Sequence, residues 1–196
     1  MKNIRKIENY EDFKNVYKVF SEKPYEEKYT EEDYREIFSH YRDDGMLYGA
    51  YLNEECIGLI ALTYGVKKEQ PVDFGEENII YLSDVAVKGA YRKKGLGTML
   101  MTYGVMESLK GGFDRIYMRT LERGKSMSYE IASKLGFEEI PGISQMVETE
   151  NIYGFIQNKK NIFLSLDLRT LSKDDLSKMM SISREEILNS TKGEER

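Results

Sequence analysis

The chain has 196 residues, 40% hydrophobic and 12% aromatic, enough for one full core with at most a small appendage. Its formal net charge of −5 argues against a general nucleic-acid binder, so the cations at 92–94 are a local feature that points to a local anion. A single cysteine, Cys56, and a single histidine, His40, exclude an intrachain disulfide framework and a cysteine/histidine zinc site, and no metal ligand set is expected.

Residues 3–7, NIRKI, read as a short first strand, and residues 11–21 and 31–42 as a pair of charged, aromatic-studded helices. In GMLYGAYLNEECIGLIALTYG two apolar runs flank Asn53-Glu54-Glu55, the pattern of a β-hairpin. A polar loop leads to a strand over residues 79–87, whose nearly continuous apolarity suits burial on both faces and a central place in the sheet. Leu96, Met99, Leu100, Tyr103, Met106 and Leu109 fall at helical spacing, and Gly111-Gly112 supplies the stop. RIYMRT reads as another strand, Ser126 as the cap of a helix ending at Gly136, and NIFLSLDL as a late strand. Further on, Ser172 with Asp175 and Ser183 with Glu186 repeat the capping-box spacing, which predicts two short helices in tandem. They faintly resemble the start of a helix-turn-helix, but Glu185 and Glu186 on the second count against DNA. Packing on the main body, or a mobile tail in STKGEER, is the expectation. The order is mixed α/β, with one domain over residues 1–168 and a helical extension and tail over 169–196.

Between IIYLSDVAV and TMLMTYGVMESL lies Tyr91-Arg92-Lys93-Lys94-Gly95-Leu96-Gly97. A strand that ends in a glycine-containing turn and passes directly into a helix leaves the first helical N–H groups unpaired. Glycines there let a diphosphate approach closely. Arg92, Lys93 and Lys94 add charge for further phosphates. The pattern lacks the Gly-x-x-x-x-Gly-Lys-Ser/Thr of a P-loop, and Leu100 stands where a dinucleotide fingerprint has its third glycine. Taken alone, the heptapeptide also fits a tight turn with solvated cations.

Arg92-x-x-Gly95-x-Gly97, after a strand ending Val85-Ala86-Val87 and before an amphipathic helix, resembles the acyl-coenzyme A signature of the GNAT superfamily of N-acetyltransferases. SYEIASKLGFEEI, with Gly136 and Phe137 about forty residues after the signature, is similar to the family's later helix and its closing Gly-Phe. The resemblance covers roughly residues 2–168 and is densest over 79–140. It implies a mostly antiparallel central sheet flanked by helices, acetyl-CoA as cosubstrate, and acetyl transfer to a primary amine by direct attack in a ternary complex. It further implies that the backbone around Arg92, Lys93, Lys94, Gly95, Leu96, Gly97 and Thr98 holds the diphosphate. By the same resemblance Val85, Ala86 and Val87 pair with the pantetheine arm, a strand N–H there faces the thioester oxygen, and a splayed gap beside RIYMRT admits the arm. Lys125 stands where an asparagine commonly holds that arm.

In such a transfer an amine loses its proton, attacks the carbonyl and needs its oxyanion stabilised before the thiolate leaves and is reprotonated; no protein nucleophile is required. Cys56 lies in CIGLIAL, which reads as a buried strand, and His40 sits on a charged helix far from the signature. Where the family's polyamine acetyltransferases carry a Glu-Asp pair, this chain has Ser83-Asp84. Asp84 in an apolar strand is costly to bury without partners. A general base, direct or through water, and a hydrogen-bonded structural aspartate both fit. The family's acid tyrosine, four residues before the Gly-Phe glycine, is replaced by Ala132; Tyr129, one turn earlier, is either the acid or a packing residue.

Those departures keep a second reading open, an acyl-CoA-binding sensor with little or no turnover, and a third, an interaction module built on the C-terminal helices. Glu26, Glu27, Tyr29, Glu148, Glu150 and Tyr153 are acidic and aromatic candidates for an amine site, weighed against ordinary surface charge. With no early apolar segment and no apolar run of about 18 residues, the chain reads as cytoplasmic, without a membrane or nucleic-acid partner; a homodimer is left open.

Overall fold

The computed structural model describes residues 3–22, 26–65, 70–151, 153 and 155–192, with only the backbone of 149, 150, 157 and 187–192. The elements are β1 (Asn3–Lys6), α1 (Tyr10–Tyr17) continued by a 3-10 turn, α2 (Glu31–Asp43), β2 (Gly45–Leu52) and β3 (Glu55–Tyr64). Then come β4 (Ile79–Val87), α3 (Leu96–Lys110), β5 (Arg115–Leu121), α4 (Met127–Lys134), β6 (Glu138–Glu150), β7 (Ile156–Asp167) and α5 (Lys173–Lys192). Among the described residues no helix is long and apolar enough to cross a membrane.

Local chemistry starts and stops these elements. Asn9 caps α1 by accepting from the Glu11 N–H, and Thr30 with Asp33 forms a reciprocal capping box at α2. The β2–β3 hairpin turns through Asn53 and Glu54, whose φ values of 48° and 64° supply the two left-handed residues that a twist-matched two-residue turn requires. The sheet runs β1-β2-β3-β4-β5-β7-β6, every pair antiparallel except the parallel β4–β5.

Because β3 and β4 are central, both their faces are apolar. On one face α1 and α2 bury Phe13, Val16, Phe38 and Tyr41 against Leu59, Ala61 and Ala86. On the other, α3 buries Leu96, Leu100 and Val105 against Ile60, Leu62, Ile80 and Leu82. A Cβ at Gly104 would lie 2.5 Å from the Ile60 Cδ1, so a bare backbone there lets α3 settle onto β3.

The structure departs from the sequence-based expectations in two places. The tandem C-terminal helices are one helix, α5. Ser172 and Asp175 do form a capping box, the Ser172 N–H donating to the Asp175 Oδ2 at 2.9 Å and the Asp175 N–H to the Ser172 Oγ at 3.1 Å. Ser183, however, is buried in mid-helix, where its hydroxyl donates back to the Met179 carbonyl at 3.0 Å and meets the Thr102 hydroxyl at 2.8 Å. A capping box needs an extended N-cap residue, and packing of Met179 against the main body keeps the backbone helical through that point. Of STKGEER, residues 190–192 continue α5 and 193–196 lie outside the described residues. The second departure is β6, for which no strand was expected: it is an edge strand on β7, with an irregularity between Glu139 and Ser144 around Pro141 and Gly142.

Replacing Glu54 by glycine relieves a left-handed backbone at the cost of an exposed Arg5–Glu54 ion pair, which contributes little. Urea unfolding of Glu54→Gly will show a gain of roughly 1 kcal/mol; a loss would mean that the ion pair outweighs the turn.

Candidate active site

Alternation along β4 breaks at one residue. Ala61 pairs with Asp84 and Leu62 with Leu82, so Ser83 is an extra residue opposite β3, with its hydroxyl 2.9 Å from that of Thr63. Ile80 and Leu82 face α3, and uninterrupted alternation would send Asp84 the same way. The bulge reverses the parity. Asp84 turns toward α1 and α2, while Val85 and Val87 pack on the α3 side.

There Asp84 Oδ2 accepts from the Tyr17 hydroxyl at 2.9 Å and from the Tyr41 hydroxyl. Burial raises the Asp84 pKa to about 6, more than the two phenols lower it. The phenols are themselves held well above their usual range by burial and by the Asp84 carboxylate, so they stay donors at neutral pH. Alongside, the Tyr29 hydroxyl donates to the Glu27 Oε2 at 2.5 Å, and a backbone bridge from Glu27 to Asn151 ties the segment before α2 to the β6–β7 hairpin.

Immediately beyond the bulge the sheet opens. β4 and β5 pair only from Ile79 with Arg115 to Leu82 with Met118, although the strands continue to Val87 and Leu121. At the mouth of this gap the Arg92 Nε–H donates to the Val87 carbonyl at 3.0 Å, and Lys93 and Gly95 take positive φ values of 59° and 70°. Gly95 begins α3 with no side-chain cap, and the first turn of α3 carries no acidic residue of its own. A cavity of about 490 Å³ is lined by Val85, Ala86 and Val87 of β4 and by this helix start. Unsatisfied helical N–H groups, left-handed glycine geometry and flanking cations fit a diphosphate, and the unpaired edge of β4 beside them suits an extended arm.

The GNAT acetyltransferase family model matches residues 10–137. The chain belongs to the GNAT acetyltransferase family. It is therefore an acyltransferase, of a family that uses acetyl-CoA. No curated protein matches it. Among solved structures it is similar to the ribosomal-protein-S18-alanine N-acetyltransferase from Escherichia coli, at 14% identity and TM-score 0.62, over 89% of this chain and 98% of that one. An acetyltransferase of GNAT family from Staphylococcus aureus Mu50 is 21% identical, TM-score 0.60, over 86% and 99% of the two chains. A chain of the NatC complex bound to Gag peptide and CoA is 16% identical, TM-score 0.60, over 85% and 98%. At these identities the likeness is one of fold.

Of the residues that the signature singles out in this GNAT chain, Val85, Ala86, Val87, Arg92, Lys93, Gly95, Leu96, Gly97 and Thr98 line the cavity. Lys94 and Lys125 do not line it, and Lys125 pairs with Glu122 at 2.9 Å. Tyr129 is not brought to the cavity either: its ring is buried and its hydroxyl donates to the Glu139 Oε1 on β6 at 2.7 Å. Ala132, on the same side of α4, is fully buried. The face of α4 turned to the cavity carries Met127, Ser128, Ile131 and Lys134, a helical spacing that was visible in the sequence and passed over. Tyr17, Tyr41 and Glu186 were also missed. Cys56 is buried with its thiol pushed up to about 11 by burial, and His40 pairs with Asp44 at 3.0 Å on the exposed side of α2.

The raised Asp84 pKa sets a sign for stability. The folded state holds the Asp84 proton more tightly than the unfolded chain, whose aspartates titrate near ~3.9. The stabilisation is therefore complete below that value and lost as pH rises through about 6. Between pH ~4 and ~7, urea unfolding will show wild type losing on the order of 2 kcal/mol relative to Asp84→Asn. Parallel curves would mean that Asp84 titrates as an ordinary carboxylate.

Proposed function

We propose that this chain transfers the acetyl group of acetyl-CoA to a primary amine, in a small molecule or on a protein, by direct attack within a ternary complex. One observation carries the reading: the Asp84 carboxylate, the opened edge of β4 at Val85 to Val87, and the cradle at the start of α3 follow one another along a single strand-turn-helix.

The roles follow from that order. The N–H groups at the start of α3 suit a diphosphate, with Arg92 and Lys93 beside them. The β4 edge that has parted from β5 offers backbone groups to an extended, amide-bearing arm, as an edge strand does to a peptide. Acetyl-CoA, when bound, supplies a thioester activated toward amines. Asp84 is ionised at neutral pH yet basic enough to take a proton from an ammonium, directly or through water. Tyr17 and Tyr41 both hold Oδ2, and in this reading Oδ1 takes the proton. An N–H on the opened β4 edge is the donor for the oxygen on which charge develops. Tyr129 serves as the acid only by releasing Glu139, so in this reading the departing thiolate is protonated from solvent.

The acceptor approaches from the α1 and α2 side. Glu27 and Tyr29 lie there, and the bridge to Asn151 brings in the hairpin on which Glu148 and Tyr153 are exposed, a setting suited to a cationic amine. The Glu150 side chain lies outside the described residues, and the Glu26 N–H donates to the Glu22 carbonyl at 3.0 Å. We assign the transfer to residues 1–168, with 169–196 as an extension whose α5 meets α3 at Ser183. A sensor with weak turnover is the second reading. It is favoured by the cavity lining, where among the described residues the one tyrosine is Tyr91, its hydroxyl 3.4 Å from Glu55.

Calorimetric titration with acetyl-CoA, followed by thiol release against pooled amines, decides between them. Transfer predicts micromolar binding and release with one pool, rising with pH through about 6. Asp84→Asn is expected to slow release about 100-fold with binding unchanged, and Gly97→Trp to abolish binding. Binding without release supports the sensor, and no binding overturns the cradle.

A further inference from the structure

The start of α3 already holds an anion of the chain's own. Glu186 of α5 lines the same cavity as Gly95, Gly97 and Thr98. Its Oε2 accepts from the Thr98 hydroxyl at 2.5 Å, and its Oε1 pairs with the Lys134 ammonium of α4 at 2.9 Å. Both carboxylate oxygens are therefore bound by donors that face the cradle. Burial raises the Glu186 pKa, but the Thr98 hydroxyl and Lys134 outweigh it and hold the group below the usual carboxylate range, so it is charged at neutral pH.

This contact is more than α5 needs in order to dock. One turn earlier the buried Ser183 hydroxyl meets that of Thr102, and one turn before that Met179 is 5% exposed within the core. Glu186 instead supplies negative charge to a helix start whose first turn has none, the position where an anion is favoured and where a diphosphate would sit. A carboxylate held by a hydroxyl and an ammonium occupies the donors that two phosphate oxygens would use.

We propose that Glu186 is a built-in competitor of the cofactor's phosphates, and that Thr98 and Lys134 are phosphate-binding side chains which it occupies until the cofactor displaces it. The proposal rests on the cradle reading above. It makes the C-terminal helix part of the cofactor site, with a free-energy cost that cofactor binding must overcome.

The test is calorimetric titration of the full chain with coenzyme A for wild type, Glu186→Gln, and Glu186→Gln combined with Lys134→Met. Glu186→Gln keeps the shape and removes the charge, so binding is expected to tighten roughly tenfold, with the thermal midpoint nearly unchanged because Ser183 and Met179 still hold α5. The added Lys134→Met is expected to cancel the gain. If wild type binds and Glu186→Gln binds equally or more weakly, the competitor is overturned and the cradle stands. A gain that survives Lys134→Met overturns the role of Lys134. Binding by neither wild type nor Glu186→Gln overturns the competitor and the cradle together.

Discussion

The extra residue at Ser83 decides the direction of everything beyond it on β4. Strand geometry leaves two choices per side chain, and one inserted residue exchanges them. With regular pairing, Asp84 would enter the apolar layer formed by Leu82 and Leu100, where a carboxylate has no donors and costs several kcal/mol. With the bulge, it meets two phenols, and Val85 and Val87 turn to the cavity. Pairing with β5 ends at Leu82, one residue before the insertion, so the side-chain reversal and the opening of the sheet occur together.

The aromatic layer over Asp84 and the carboxylate satisfy each other. Phe13 stacks on Tyr17 at 4.8 Å, and its ring centroid lies 5.4 Å from that of Phe38 and 6.4 Å from that of Tyr41. Tyrosines packed this deeply need acceptors for their hydroxyls, and Asp84 gives both the same oxygen. Two donated hydrogen bonds work against the raised pKa, but desolvation exceeds them. A carboxylate near neutrality thus comes from packing two helices over one strand position, with no second acid required as a direct partner.

What could be read in the chain was what is local. The apolar run of β4, the periodicity of α3 and the glycine-bearing turn between them each lie within a few residues, and all three stand where they were expected. The partners of Asp84 could not be found that way, because Tyr17 is 67 and Tyr41 is 43 residues away, and nothing near either marks a hydroxyl as bound for a strand. β6 was overlooked because Pro141 and Gly142 interrupt it and an edge strand tolerates polar residues on its exposed side. The second capping spacing misled for a different reason. Ser183 and Glu186 were matched to a motif of helix ends, and both are used instead toward α3, as a buried hydroxyl and a cavity carboxylate. Tyr129 is the nearest substitute for the acid missing at Ala132, yet the two residues sit one helical turn apart and both face the core, while the cavity is served by the adjacent stripe of α4.

A reversal made by a whole inserted residue has no intermediate setting. No sequence of small substitutions slides Asp84 by degrees from one face of the sheet to the other, so the strand either presents its carboxylate to Tyr17 and Tyr41 or does not. Exposed surfaces away from the bulge have no such restriction. One is the segment around Glu27 with the hairpin bridged to it, whose exposed residues can be exchanged one at a time without touching the register of β4. Strand register admits only whole-residue changes, whereas exposed loop positions admit single ones.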